Sequence, residues 1–180
     1  MKTFEEIWTQ KEKEGYSYGH DALEQVRFGW DLRANAEPVK MGRVSWHETW
    51  MNVARSLAEN RSHDPRLKVA AIIVPEDNTQ IIAIGYNGDE RGGTNAPESF
   101  EPGQSGFVHA ENNALIKCDF NFPKRKRMYV THSPCRQCAK LIINAEIVSV
   151  IYGEQYRDVS GLELLKQRGI EVMSLDEAIG

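Results

Sequence analysis

Apolar positions along this chain switch between a helical and a strand period, and the switch points lay out its architecture. Phe4, Ile7 and Trp8 recur at helical spacing, and Leu23, Val26, Phe28 and Trp30 predict a second helix near residues 20–34. The segment 36–42, with Pro38 inside it, reads as a linker. Ser45-Trp46-His47-Glu48 has the form of a capping box, in which the serine caps an amide and the glutamate reaches back. Trp46, Trp50, Val53, Ala54 and Leu57 then fall on one helical face. Residues 67–74 (LKVAAIIV) form a short β-branched run that predicts a buried strand. Pro75-Glu76-Asp77-Asn78 turns the chain, and residues 80–86 (QIIAIGY) are its hairpin partner. Residues 87–107 are rich in Gly, Pro, Asn and Ser and carry no period. A loop of about twenty residues inside a compact domain is commonly functional. Beyond it, helices over 109–117, 135–145 and 160–168 alternate with strands over 127–132, 147–152 and 170–173. Gly169 suits a helix C-cap, and Ser160 with Glu163 predicts a second capping box. The sum is an α/β chain: a mixed five-stranded sheet flanked by helices over residues 45–180, preceded by a helical extension over 1–44.

Composition narrows the setting. The 180 residues suit one domain with a full hydrophobic core. Mean hydropathy is −0.52, and no apolar run approaches the ~18 residues of a membrane span. Residues 1–13 are mixed and charged with no apolar h-region, so no signal peptide is expected and the cytoplasm is the expected location. A net charge of −4 works against nonspecific binding of long nucleic acid, yet leaves room for a small anion in a locally basic pocket. Lys124-Arg125-Lys126-Arg127 reads as a solvated turn before a strand, with a phosphate or nucleic-acid contact as its alternative. His47 and His63 stand alone, as exposed or structurally bonded histidines do.

The chemistry lies elsewhere. Of three cysteines, Cys118 is isolated and Cys135-Arg136-Gln137-Cys138 forms a Cys-x-x-Cys pair. Without a secretory signal a disulfide framework is not expected, and a redox dithiol would open a helix near the start of a small domain. This pair comes late, after His109-Ala110-Glu111, so a metal site is the better reading. His109, Cys135 and Cys138 supply three ligands for Zn2+. Three protein ligands leave a tetrahedral position open, which distinguishes a catalytic zinc from a structural one. A structural site would need a fourth ligand, for which Cys118 and His132 are the nearby candidates. In mid-helix, residues two apart point in different directions, so His109 and Glu111 converge only if the metal lies off the helix N-terminus. Both ligand groups would then sit at helix N-termini, whose positive ends favour thiolate and neutral imidazole. Pro134 suits the helix entry. Glu111, free of the metal, is the candidate to carry protons for a metal-activated water.

His-x-Glu followed by Pro-Cys-x-x-Cys is the arrangement of the zinc deaminases. The chain resembles the deoxycytidylate (dCMP) deaminases of the cytidine deaminase superfamily over roughly residues 45–175. The resemblance rests on His63-Asp64-Pro65-Arg66-Leu67-Lys68-Val69, Gly85-Tyr86-Asn87-Gly88, Arg91-Gly92, His109-Ala110-Glu111-Asn112-Asn113-Ala114, Tyr129-Val130-Thr131-His132-Ser133-Pro134-Cys135, Cys138-Ala139-Lys140, Tyr152 and Tyr156-Arg157-Asp158. It implies a three-layer α/β/α cytidine deaminase-like fold and hydrolysis of dCMP to dUMP and ammonia, which supplies dUMP for dTMP synthesis. It also implies a homo-oligomer, hexamer or dimer, with dCTP and dTTP as effectors. By position, Asn87 would bond the sugar hydroxyl or nucleotide, Ala110 would offer backbone contacts to the base, and Tyr156 would stack near the pyrimidine. Each has a plainer alternative: Asn87 as a turn residue, Tyr156 as core packing. Arg91 could meet the 5′-phosphate or be a solvated loop charge. Other cytosine nucleotides or nucleosides, a polynucleotide (tRNA adenosine or single-stranded DNA cytosine), and a non-catalytic zinc module are the competing readings. The intact Glu111 argues against the last.

Overall fold

A computed structural model describes residues 4–15, 43–101 and 103–180; the helix expected near 20–34 and the linker at 36–42 lie outside them. The chain divides into two units, Met1–Arg43 and Val44–Gly180. In the first, helix α1 spans Phe4–Lys13, with Trp8 Nε1 donating to Glu12 Oε1 at 2.8 Å one turn away.

The second unit is built on β1 (Ala70–Pro75), β2 (Ala83–Tyr86), β3 (Lys126–His132), β4 (Ile147–Glu154) and β5 (Glu171–Ser174), in the order β2-β1-β3-β4-β5. The short β1–β2 connection forces an antiparallel pair, as predicted. β1 and β3 are also antiparallel, while β3–β4 and β4–β5 are parallel. The two parallel steps use helical crossovers, α4 (Arg136–Asn144) and α5 (Ser160–Gln167). Helices α2 (Trp46–Arg61), α3 (Ala110–Lys117) and α6 (Leu175–Ile179) complete the unit.

Successive side chains of a strand face opposite sides, and β1 shows the consequence. Ala71 and Ile73 pack with Met128, Val130, Ala114, Ile142 and Leu165 under α3, α4 and α5. Ile72 and Val74 pack with Met51, Ala54, Tyr129 and Leu175 under α2 and α6. Both faces are therefore covered, which is why β1 reads as a continuous apolar run and not an alternating one. The mixed sheet between two helical layers is the predicted architecture.

Several local expectations shift. The capping box at Ser45 forms, with Glu48 N–H donating to Ser45 Oγ at 3.1 Å. The buried face of α2, however, is Met51, Ala54 and Ala58, while Trp46 and Val53 are 55% and 39% exposed. Trp50 packs partly buried against that core, and Trp46 stacks on it from the solvent side, with ring centroids 5.3 Å apart. The second predicted capping box is absent. Val159 is the N-cap of α5 and makes no side-chain cap, and Asp158 Oδ1 accepts the Ser160 N–H instead. The unpredicted α6 has a capping box of its own, Ser174 with Glu177. Its five residues are too short for a helical period to register. In the basic run, Lys124 and Arg125 pair with Asp77 and Glu76 at the surface. Lys126 is buried, contrary to a fully solvated turn, because strand alternation turns it inward, where Nζ donates to the Phe120 carbonyl.

Candidate active site

The antiparallel and parallel parts of the sheet meet at β3, which pairs antiparallel with β1 and parallel with β4, and the cleft opens off the strand ends there. Residues preceding β1, following β2, following β3 and following β4 all reach it: Asp64 to Val69, Asn87, Ser133 and Tyr156. Because β1 runs opposite to its neighbours, its N-terminal approach lies beside the C-terminal ends of the other strands.

His109 is the N-cap of α3, with extended backbone at φ −66° and ψ 151°. Glu111 follows in the first turn. The extended cap resolves the directional problem that a regular helix would pose for residues two apart. Cys135 is likewise the extended N-cap of α4, and its Sγ accepts the Cys138 N–H at 3.5 Å. His109 Nδ1 lies 3.3 Å from Cys138 Sγ and 3.6 Å from Cys135 Sγ. Tetrahedral zinc with Zn–N near 2.0–2.1 Å and Zn–S near 2.3 Å requires an N···S separation of about 3.6 Å. Two thiolates and an imidazole are also the donor chemistry that zinc prefers. The three donor atoms all lie within 4.8 Å of one another, and among the described residues no further His, Cys, Asp or Glu joins the group. His132 instead pairs with Glu154 at 3.4 Å, and Cys118 Sγ lies against the Asp119 carbonyl. The donor set fits a three-ligand site.

Position in the fold keeps the ligands apart from bulk solvent by degrees: His109 is exposed, Cys135 half-buried and Cys138 buried. Hydrogen bonding from Cys138, then from His109, pulls the Cys135 thiol down to about 4. That same bond, with burial, pushes Cys138 up. The bond to Cys135 raises His109, outweighing the partial loss of water around its ring, which lowers it. Glu111 is 4% exposed, and burial pushes its carboxyl up. A carboxyl raised by burial holds a proton more readily than a solvated one, the direction a proton carrier needs.

The cleft holds about 610 Å³ and is lined by His109, Ala110, Glu111 and Cys135 together with Asn87 and Tyr156. That volume suits a nucleotide-sized ligand. Asn87 is 7% exposed. Its Oδ1 accepts from Val69 N–H at 2.8 Å and Ser62 Oγ at 2.6 Å, and its Nδ2 donates to the Leu67 carbonyl at 2.8 Å. A side-chain amide has two acceptor positions and two donor hydrogens, so one N–H remains beyond these three bonds. Gly85, two residues before it, lets β2 touch α3: a Cβ there would collide with the Ala110 carbonyl and the Ala114 nitrogen.

Arg91 is exposed and lies outside the cleft lining. The arginines that line the cleft are Arg66 and Arg157, which the sequence reading left unassigned. Arg66 is set by a turn in which Asp64 Oδ1 accepts the Arg66 N–H at 2.8 Å. Arg157 lies 5.5 Å from the centroid of the Tyr156 ring. Both stand beside motif residues, Asp64-Pro65 and Tyr156, and that adjacency was the available signal.

A family model for the cytidine and deoxycytidylate deaminase zinc-binding region matches residues 44–154. ComE operon protein 2 of Bacillus subtilis is 39% identical over 148 residues, covering 77% of this chain and 77% of that protein. Human deoxycytidylate deaminase is 37% identical over 124 residues, 64% of this chain and 68% of that protein. Among solved structures, dCMP deaminase of the cyanophage S-TIM5 in complex with dCMP and dUMP superposes with a TM-score of 0.62. It is 34% identical and covers 71% of this chain and 94% of that one. With the zinc-binding region matched over more than half its length, the chain belongs to the cytidine and deoxycytidylate deaminase family.

Proposed function

We propose that this protein catalyses the hydrolytic deamination of dCMP to dUMP and ammonia. The observation that carries the reading is the convergence of His109, Cys135 and Cys138, with His109, Cys135 and the buried Glu111 lining a nucleotide-sized cleft. Relatives that are dCMP deaminases, one of them solved with dCMP and dUMP, support the substrate.

His109, Cys135 and Cys138 hold zinc. When bound, zinc is the Lewis acid that brings the pKa of water down towards ~7. Glu111 moves the protons. The water oxygen becomes the carbonyl at C4 of the base; one of its protons goes to N3 and the other to the amino group, which leaves as ammonia. The same carboxylate accepts and delivers, which requires that it not be a metal ligand. Ala110 lies in the first turn of α3, where backbone N–H groups lack intrahelical partners and are available to the base. Tyr156 presents an aromatic face to the pyrimidine, and the remaining N–H of Asn87 serves the sugar hydroxyl. For the 5′-phosphate, the cleft position of Arg66 and Arg157 favours them over Arg91.

The proposal takes residues 45–180 as the deaminase domain and 1–44 as an extension to it. Family resemblance supports a homo-oligomer and regulation by dCTP and dTTP, and free-nucleotide chemistry supports a cytoplasmic location. No helix among the described residues is long and apolar enough to cross a membrane.

An ammonia-release panel of dCMP, CMP, dCTP, deoxycytidine, adenosine and single-stranded oligonucleotides tests the substrate. Preference for dCMP is expected. Arg157→Ala should raise KM for dCMP by about 10-fold or more, the scale of a lost hydrogen bond to a charged group, and leave that for deoxycytidine unchanged. Activity confined to oligonucleotides would overturn the reading.

A further inference from the structure

We infer that Gly161 is a positioning residue for Cys135: its lack of a side chain lets the first turn of α5 rest on the Pro134–Cys135 peptide and so set where the thiolate points. The inference rests on Cys135 being a zinc ligand. Gly161 is buried one residue into α5. A Cβ built on it would strike the Pro134 carbonyl oxygen, and would lie 2.8 Å from both the carbonyl carbon and the carbonyl oxygen of Cys135. All three are backbone atoms, so no side chain can swing aside to make room. Backbone conformation does not ask for glycine here, since Gly161 is not among the residues with positive φ. Alanine is the better helix former. Close approach is the remaining physical reason for glycine.

Two hydrogen bonds tighten the same segment. Ser133 N–H donates to the Glu154 carbonyl at 2.8 Å, and Tyr156 N–H donates to Ser133 Oγ at 2.8 Å. Ser133 is 4% exposed, so these bonds are shielded from water. The connection from β4 to α5 therefore runs against residues 133–135 from Glu154 to Gly161, and on its way it places Tyr156 in the cleft. One strip of backbone holds both a metal ligand and the aromatic wall of the cleft. A methyl group at position 161 has to push either α5 away or the Cys135 peptide towards the cluster.

The test compares Gly161→Ala with Leu162→Ala in the full chain. Leu162 is 6% exposed in the same turn, and its truncation loosens α5 without adding an atom near Cys135. For Gly161→Ala, zinc affinity measured against a chromophoric chelator should fall about 10-fold or more, as for other groups that orient metal ligands. The thiolate-to-metal and ligand-field bands of the cobalt-substituted protein should shift with it. Leu162→Ala should lower the thermal midpoint and leave both readouts at wild-type values. A Gly161→Ala protein that is destabilised yet keeps wild-type affinity and cobalt bands would reduce Gly161 to helix packing and overturn the inference. Should that variant not fold, Ser133→Ala opens the same clamp by removing the Tyr156 bond; reduced zinc affinity supports the inference and unchanged affinity overturns it. Cys135→Ser separates the underlying reading: if it binds zinc as tightly as wild type, Cys135 is no ligand, and the failure lies there and not with the clamp.

Discussion

His109 Nδ1 and Cys138 Sγ stand 3.3 Å apart, although 29 residues separate them in the chain. Each belongs to the start of a separate helix, α3 and α4, packed on the same face of the sheet. Chelation of zinc should abolish deamination, and added zinc should restore it. It should also lower the thermal midpoint, because a ligand bound only by the folded state stabilises it, by about 4 kcal/mol at a thousandfold excess over Kd. Calorimetry with and without chelator measures this. Identical midpoints would mean that the cluster does not bind metal in the folded protein.

Glu111→Gln keeps the size of the side chain and removes its ability to carry a proton. With zinc content unchanged by elemental analysis, kcat should fall about 10²–10⁴-fold, the usual contribution of a general acid–base group, while KM changes little. Turnover near wild type would take Glu111 out of the proton path.

Asn87→Ala should destabilise the fold as well as weaken substrate binding. The amide satisfies Val69 N–H and the Leu67 carbonyl on the approach to β1, and both would lose their partner. A fully buried group so orphaned costs ~1–3 kcal/mol; these two are only partly buried, so a combined loss of about 2 kcal/mol in urea unfolding is expected. An altered KM with an unchanged unfolding midpoint would mean that Asn87 serves substrate alone.

His47 makes stability depend on pH. Its Nδ1 lies 2.8 Å from the Tyr129 hydroxyl, and burial, followed by the charge of Arg127, holds its pKa below the ordinary value of 6.5. The unfolded chain then binds more protons than the folded one just below pH 6.5. Stability from this group is therefore present above that value and is lost as pH falls beneath it. Thermal midpoints recorded from about pH 5 to 8 should fall on the acid side in wild type and fall less steeply in His47→Gln. Parallel profiles for the two proteins would assign the acid loss to other groups.

The elements were legible where period and caps act locally. The capping box at Ser45, the buried run of β1 and Gly169, which follows the Arg168 C-cap of α5 with φ +74°, are each written in a few adjacent residues. Misses came where packing chose between local options. The apolar face read for α2 ran through Trp46, Trp50, Val53, Ala54 and Leu57, but the buried face is turned to Met51, Ala54 and Ala58, with Trp50 at its edge and Trp46 and Val53 exposed. Helix α5 begins at Ser160 with Val159 as its N-cap, because Asp158 Oδ1 accepts the Ser160 N–H in a turn that competes with the predicted serine cap.

By itself the sequence supplied the groups for the proposed chemistry: an imidazole, two cysteine sulfurs and a carboxyl at spacings that suit two helix starts. Ligand identity is a property of residue type, and helix entry is set by neighbours within one turn, so both survive in one dimension. Tertiary structure decided what surrounds that chemistry. It committed most of Asn87's amide to the strand approach, left Arg91 outside the cleft and lined the cleft with Arg66 and Arg157. It also set α5 against the Cys135 peptide through Gly161. Those relations join segments that are far apart in the chain, and they depend on how closely backbones can approach, which no local pattern of residues records.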